Sequence, residues 1–168
     1  MQKEKYTKKK SSVAYRGDVV VSLMRGNKVY KTIKSHNEGG YPLFNFLANC
    51  LIGNFSNVDQ PRNIRVGNLS DDTFTSSVVS AIPYSNVRIE QTEQSSATVV
   101  YTFIIPFADI VIDDSINCIR LYSSRYSGKD AVANYSASFV PDKPVTLDRD
   151  SNLKIEWYMT INNLDEGE

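Results

Sequence analysis

The sequence predicts a mainly β chain: an antiparallel β-sandwich of about eight strands with one inserted α-helix and flexible charged termini. Three observations predict it. Short β-branched and aromatic runs recur about every ten to twenty residues from Asp18 to Ile161, without the alternation of strand and helix that marks a parallel α/β sheet. The last run, Leu153-Lys154-Ile155-Glu156-Trp157-Tyr158-Met159-Thr160-Ile161, places Leu, Ile, Trp, Met and Ile on one face and Lys, Glu, Tyr and Thr on the other, as a strand with one buried face requires. Only one stretch carries apolar residues at helical spacing.

In chain order, Asp18 to Met24 and Lys28 to Ile33 flank Arg25-Gly26-Asn27, and Gly26-Asn27 suits a two-residue hairpin turn. From Asn37 the texture changes. Gly39-Gly40 is followed by Pro42 at a helix entry, then by Leu43, Phe44, Phe46, Leu47, Cys50 and Leu51 at spacings of three and four, closed by Gly53. This predicts a helix over Tyr41 to Ile52 with a wide apolar stripe, packed on a sheet or on a neighbouring subunit. After a polar loop from Asn57 to Pro61, strands are expected at Ile64–Val66, Val78–Ile82, Val87–Gln91, Ala97–Ile105, Ile116–Tyr122, Ala133–Phe139 and Leu153–Ile161.

The chain has 168 residues, 41% of them hydrophobic and 23% charged, which is the profile of one globular domain. At this length folding removes roughly 70% of the surface that the unfolded chain exposes, so the core needs no disulfide or metal. Cys50 and Cys118 read as reduced, buried thiols. Phe103 to Ala108, the longest strongly apolar run, falls far short of the roughly 20 residues of a membrane span, and the segment after the basic N-terminus is interrupted by Arg16 and Asp18, so neither a membrane partner nor a signal peptide is expected.

The 19 basic and 19 acidic residues balance, but unevenly along the chain. Residues 1–16 form a basic arm with six basic residues against one acidic, residues 17–163 form the sandwich domain, and residues 164–168 form an acidic tail containing Asp165, Glu166 and Glu168. So polar an end cannot offset its ordering entropy, and Met1 to Ser12 is expected to order only against a partner. Lys8, Lys9 and Lys10 leave three readings open: an assembly arm on an acidic protein surface, a solvated tail, or a non-specific contact with DNA phosphates.

Reactive constellations are scarce. His36 is the single histidine, at an expected strand exit, and reads as a solvated or backbone-bonded loop residue. Asp148, Asp150 and Asn152 imitate the start of a calcium loop, but Leu153 stands where that loop needs Gly and Met159 where it needs Glu; a hairpin turn is the better reading. Asp71-Asp72 and Asp113-Asp114 read as solvated turns, and no Gly-rich phosphate loop occurs. No catalytic residue, metal, cofactor or small-molecule substrate is therefore assigned. Tyr101, Tyr122, Tyr126, Tyr135 and Tyr158, placed on polar strand faces, would suit sugar stacking or partner anchoring, with cross-strand packing the equal alternative.

Several segments resemble small structural proteins of tailed bacteriophages. Lys31-Thr32-Ile33-Lys34-Ser35-His36-Asn37-Glu38-Gly39-Gly40, then Leu43-Phe44-Asn45-Phe46-Leu47-Ala48-Asn49-Cys50-Leu51-Ile52-Gly53, then Pro61-Arg62-Asn63-Ile64, is similar to their succession of hairpin, apolar helix and strand. Tyr101 to Pro106, Ile116 to Ser123 and Leu153 to Ile161 are similar to strands of neck, tail and baseplate components, with Cys118-Ile119-Arg120-Leu121 departing from a frequent Glu-Leu-Gly-Leu. The likeness extends from Val29 to Asn163, and the ring proteins of crAss-like phages are its nearest analogy. The resemblance implies a non-enzymatic virion β-sandwich, made in the host cytoplasm and assembled as a ring or collar at the portal vertex, neck or tail. Its implied partners are copies of itself and other virion proteins.

Opposite charges at the two ends fit a head-to-tail homo-oligomer in which the arm of one subunit meets the acidic tail of the next. The expected interface residues are Lys8, Lys9, Lys10, Phe44, Phe46, Asp165 and Glu166. A carbohydrate- or receptor-binding sandwich of a phage tail or baseplate is the alternative, and a small hydrolase, lacking clustered acids, ranks third.

Overall fold

The computed structural model describes residues 11–39, 47–49, 52–53, 61–70, 73–93, 96–110, 115–123, 135–139, 145–146 and 150–165. These form eleven strands: β1 (Ser11–Arg25), β2 (Lys28–Gly39), β3 (Pro61–Ser70), β4 (Thr73–Pro83), β5 (Asn86–Glu93), β6 (Ser96–Ile105), β7 (Ser115–Ile116), β8 (Cys118–Ser123), β9 (Tyr135–Phe139), β10 (Val145–Thr146) and β11 (Asn152–Asp165). The chain is mainly β and antiparallel, as the alternation implied. Nine strands join in the order β4-β3-β8-β9-β2-β1-β11-β6-β5, and β7 pairs with β10 separately.

The hairpin turn falls at Gly26-Asn27, where Arg25 pairs with Lys28 and Gly26 takes the left-handed φ of 57° that glycine adopts without a Cβ clash. β2 then runs further than its apolar residues suggest. It pairs with β1 through Asn37, and its last two residues, Glu38 and Gly39, pair with Ser138 and Ala137 of β9. One strand thereby belongs to both halves of the sheet. Of the expected helix, residues 47–49 are helical, the Ile52 N–H donates to the Ala48 carbonyl at 3.3 Å, and Gly53 has a φ of 71°. That is the ending a C-terminal glycine provides. The rest of the predicted helix lies outside the described residues.

One hydrophobic cluster serves both halves. Val19, Val21 and Leu23 of β1, Phe103 and Ile105 of β6, and Leu153, Ile155 and Trp157 of β11 meet Ile64 and Val66 of β3 and Ile119 and Leu121 of β8. The strict alternation in β11 is realised: Leu153, Ile155, Trp157 and Met159 are buried, while Lys154, Glu156, Tyr158 and Thr160 turn outward. Burying each such apolar side chain contributes about 1.5–3 kcal/mol. Ile116 and Val145, paired across β7 and β10, close one end of the cluster, and the Phe107 N–H donates to Asn152 Oδ1 at 2.9 Å, tying the segment after β6 to the start of β11.

Several expectations are corrected. Among the described residues there are eleven strands against about eight expected: β7 and β8 divide the one strand expected at Ile116–Tyr122, and the two-residue β10 falls in a stretch with no expected strand. β1 already starts at Ser11, with Ser11 opposite Asp165 and Ser12 opposite Leu164, so part of the basic arm and of the acidic tail is sheet. His36 lies within β2 rather than in a loop. Tyr101 and Tyr122 are buried rather than displayed on a polar face. Cys118 is a buried thiol in β8, as expected.

Candidate functional site

The outward face of β2, β1, β11, β6 and β5 carries polar side chains in transverse rows, because opposite residues of an antiparallel pair share a face. One row runs His36, Asp18, Tyr158, Val100, Arg88; the next runs Lys34, Val20, Glu156, Thr102, Asn86; a third runs Arg16, Thr160, Thr98, Glu90. The rows are cross-linked. Asp18 accepts from Arg16 Nε at 3.0 Å and is hydrogen-bonded to His36 Nδ1. Arg88 donates to Glu90 at 2.7 Å and to Glu156 at 3.4 Å, Lys154 meets Glu156 at 3.1 Å, and the Thr98 and Thr160 hydroxyls are 2.8 Å apart. The Glu90 carboxylate, chiefly through this hydrogen bond, raises the Arg88 pKa, so the guanidinium stays charged.

A depression of about 470 Å³ opens on this face, lined by Arg16, Asp18, Lys34, His36 and Tyr158. The His36 and Arg16 side chains that border it are 73% and 61% exposed, so the Arg16–Asp18 ion pair contributes only about 0–1 kcal/mol to stability. Chemically the depression offers two cations and an imidazole around one carboxylate, beside a phenol. Such a set holds an acidic or polyhydroxyl group by hydrogen bonds. His36 bonds to Asp18 and, among the described residues, to no hydroxyl or thiol, so no Ser–His or Cys–His nucleophile is assembled there. Among the described residues no three His, Cys, Asp or Glu side chains converge on a metal position.

A second feature lies at the end of the strand order. Among the described residues β5 pairs only with β6. Val87 and Ile89 share the face of the core residue Tyr101 and of the partly buried Val99, yet the core cluster includes no β5 residue, and Ile89 is 75% exposed. Tyr84, at the bend between β4 and β5, adds a partly exposed ring that meets Tyr101 edge-on, centroids 5.6 Å apart.

Of the residues assigned to an interface from sequence, Lys8, Lys9, Lys10, Phe44, Phe46 and Glu166 lie outside the described residues. Asp165 is the final residue of β11, opposite Ser11, so the basic and acidic segments join the sheet side by side within one chain. Sequence reasoning did not single out Asp18, Arg88 or Ile89. The signal available was the alternation Val87-Arg88-Ile89-Glu90, which marks a strand but not which strand stands at an edge. Asp71, Asp72, Asp113, Asp114 and Asp148 lie outside the described residues, while Asn152 Oδ1 is occupied by the Phe107 N–H. In comparison with known proteins, no family model, no curated protein and no solved structure matches this chain.

Proposed function

We propose that this chain is a non-enzymatic structural subunit of a tailed phage virion, assembling as a ring or collar at the neck or tail through subunit–subunit contacts. The observation that carries the assembly reading is the edge strand β5, which among the described residues has no pairing partner on its outer side and presents the exposed apolar side chains Val87 and Ile89. Monomeric proteins blunt such edges, since an exposed apolar edge strand pairs with another chain. The virion setting rests on the resemblance of Lys31–Gly53, Pro61–Ile64 and the later strands to phage structural proteins, and no catalytic constellation among the described residues competes with it.

The test is the native mass of the full chain by analytical ultracentrifugation at low and moderate salt, together with its presence in purified particles of a virus that encodes it. A multimer present in the particles in stoichiometric amount is expected. A strict monomer at every concentration would overturn the assembly reading, and absence from purified particles would overturn the virion setting.

The depression beside Tyr158 favours a second reading, a carbohydrate- or receptor-binding module, because an aromatic ring among Arg16, Lys34 and His36 suits an acidic sugar. A glycan array decides it: specific binding that Tyr158→Ala abolishes would favour this reading.

A further inference from the structure

Resting on the assembly reading, we infer that β5 pairs antiparallel with β5 of a second copy across a two-fold axis through Ile89. The charges of the strand select this register. Facing residues must share a face, so an axis falling between two residues would set apolar side chains of one copy against charged ones of the other. An axis through Arg88 opposes Arg88 to Arg88, and an axis through Glu90 opposes Glu90 to Glu90, both like-charge pairs. An axis through Val87 sets Ile89 opposite Ser85 and pairs no opposite charges. The axis through Ile89 alone sets Arg88 opposite Glu90 of the second copy, twice by symmetry, and on the other face sets Ile89 against Ile89.

The strand is prepared for this contact. Its ladder with β6 is regular from Asn86 through Glu90. Arg88 is held along the sheet by Glu90 and Glu156, and a guanidinium with five N–H donors can keep these bonds while donating to a further carboxylate across the edge. The 75% exposed Ile89 and 43% exposed Val87 supply the apolar side of the contact. Such a two-fold contact is self-complementary and closes on itself, so any larger assembly contains an even number of copies and needs a second kind of contact.

Charge reversal tests the pairing in the full-length chain. R88E faces two glutamates per chain with their like, and E90R does the same with arginines. Each variant alone is expected to weaken pairing by about tenfold or more in dissociation constant. Mixed in equal amounts, they restore every opposite-charge pair and should form a heterodimer that neither forms with itself, read by native mass spectrometry of one isotope-labelled partner. I89K, at an exposed position that the fold tolerates, should separate the pair independently, with circular dichroism showing an intact sheet. A wild-type multimer whose β5 contact survives both R88E and I89K would overturn the β5 pairing while leaving the assembly reading standing. Folded R88E and E90R that remain monomeric on mixing would overturn the register through Ile89, whereas a wild-type chain monomeric at all concentrations would overturn both readings.

Discussion

The side-chain amide of Asn37 lies over Gly17, so that a Cβ at position 17 would fall on the Asn37 oxygen and within 2.5 Å of the Tyr15 hydroxyl oxygen. Gly17 is buried and sits opposite Asn37, the last residue of β2 that pairs with β1 before the strand turns to β9. The amide also donates to the Tyr15 hydroxyl at 3.2 Å. Gly17→Ala is therefore expected to destabilise the fold by about 1–3 kcal/mol through overpacking, measured as a lowered denaturant midpoint at unchanged slope.

Tyr15 makes the same corner sensitive to alkali. Burial raises its phenol above the ordinary 10.0, with the Asn37 hydrogen bond and the nearby Trp157 indole acting in the opposite sense and the Asp18 charge adding to the rise. The unfolded chain thus loses this proton first as the pH climbs. The stability contributed by the neutral phenol is complete below about pH 10 and disappears as the pH rises through the raised folded value. Urea midpoints followed upward from about pH 8 should fall in that window for the wild type. Tyr15→Phe should remove its part of the fall and lower the midpoint at neutral pH.

Tyr30 and Ser151 join distant parts of the chain: the Tyr30 hydroxyl is hydrogen-bonded to the fully buried Ser151 hydroxyl ahead of β11, while the Arg25 guanidinium stacks 4.7 Å from the ring centroid. Tyr30→Phe keeps the stacking and deletes the bond, at an expected cost of about 0.5–1.5 kcal/mol in equilibrium unfolding. Tyr30→Ala loses both, so a smaller effect for Ala than for Phe would disprove this division.

The shared core predicts one cooperative transition. Leu121→Ala, on β8, should cost about 2–5 kcal/mol and lower the whole unfolding curve, tryptophan fluorescence of Trp157 on β11 included, because both residues belong to the same cluster. Ile104→Ala, half-exposed on the outward face of β6, should stay within about 0.5 kcal/mol of wild type. Separate transitions for fluorescence and far-ultraviolet circular dichroism would show that the two halves unfold independently.

Side-chain periodicity made much of this fold legible. Leu153 to Ile161 named its own buried face, Gly26-Asn27 marked the hairpin, and Gly53 marked the end of a helical turn. Periodicity does not tell where a strand stops when pairing continues through polar residues, which is why Ser35, His36 and Asn37 looked like an exit and are ladder. Nor does it report what covers a strand. Val100 faces outward yet is fully buried, lying in one row between Tyr158 and Arg88; Arg120 of β8 is only 3% exposed; Ile89 reads like a core residue and is open to solvent. These depend on which strand neighbours which, a non-local property. The polar depression was hidden for the same reason, since Arg16, Lys34 and Tyr158 meet only through the register of three strands.

Among the described residues β11 is the sole strand between the β1–β2 hairpin and the β5–β6 hairpin, and it follows every other described strand in the sequence. During synthesis the two hairpins must wait, each with an open side, for the segment that fits between them to leave the ribosome. Productive folding is thus deferred until this segment has been made, and loop closure over so long a separation makes the final step slow. In that interval the open sides of the two hairpins are exposed to wrong pairing, which holdase chaperones suppress. Expression yield should respond to them far more than the stability of the finished protein would suggest.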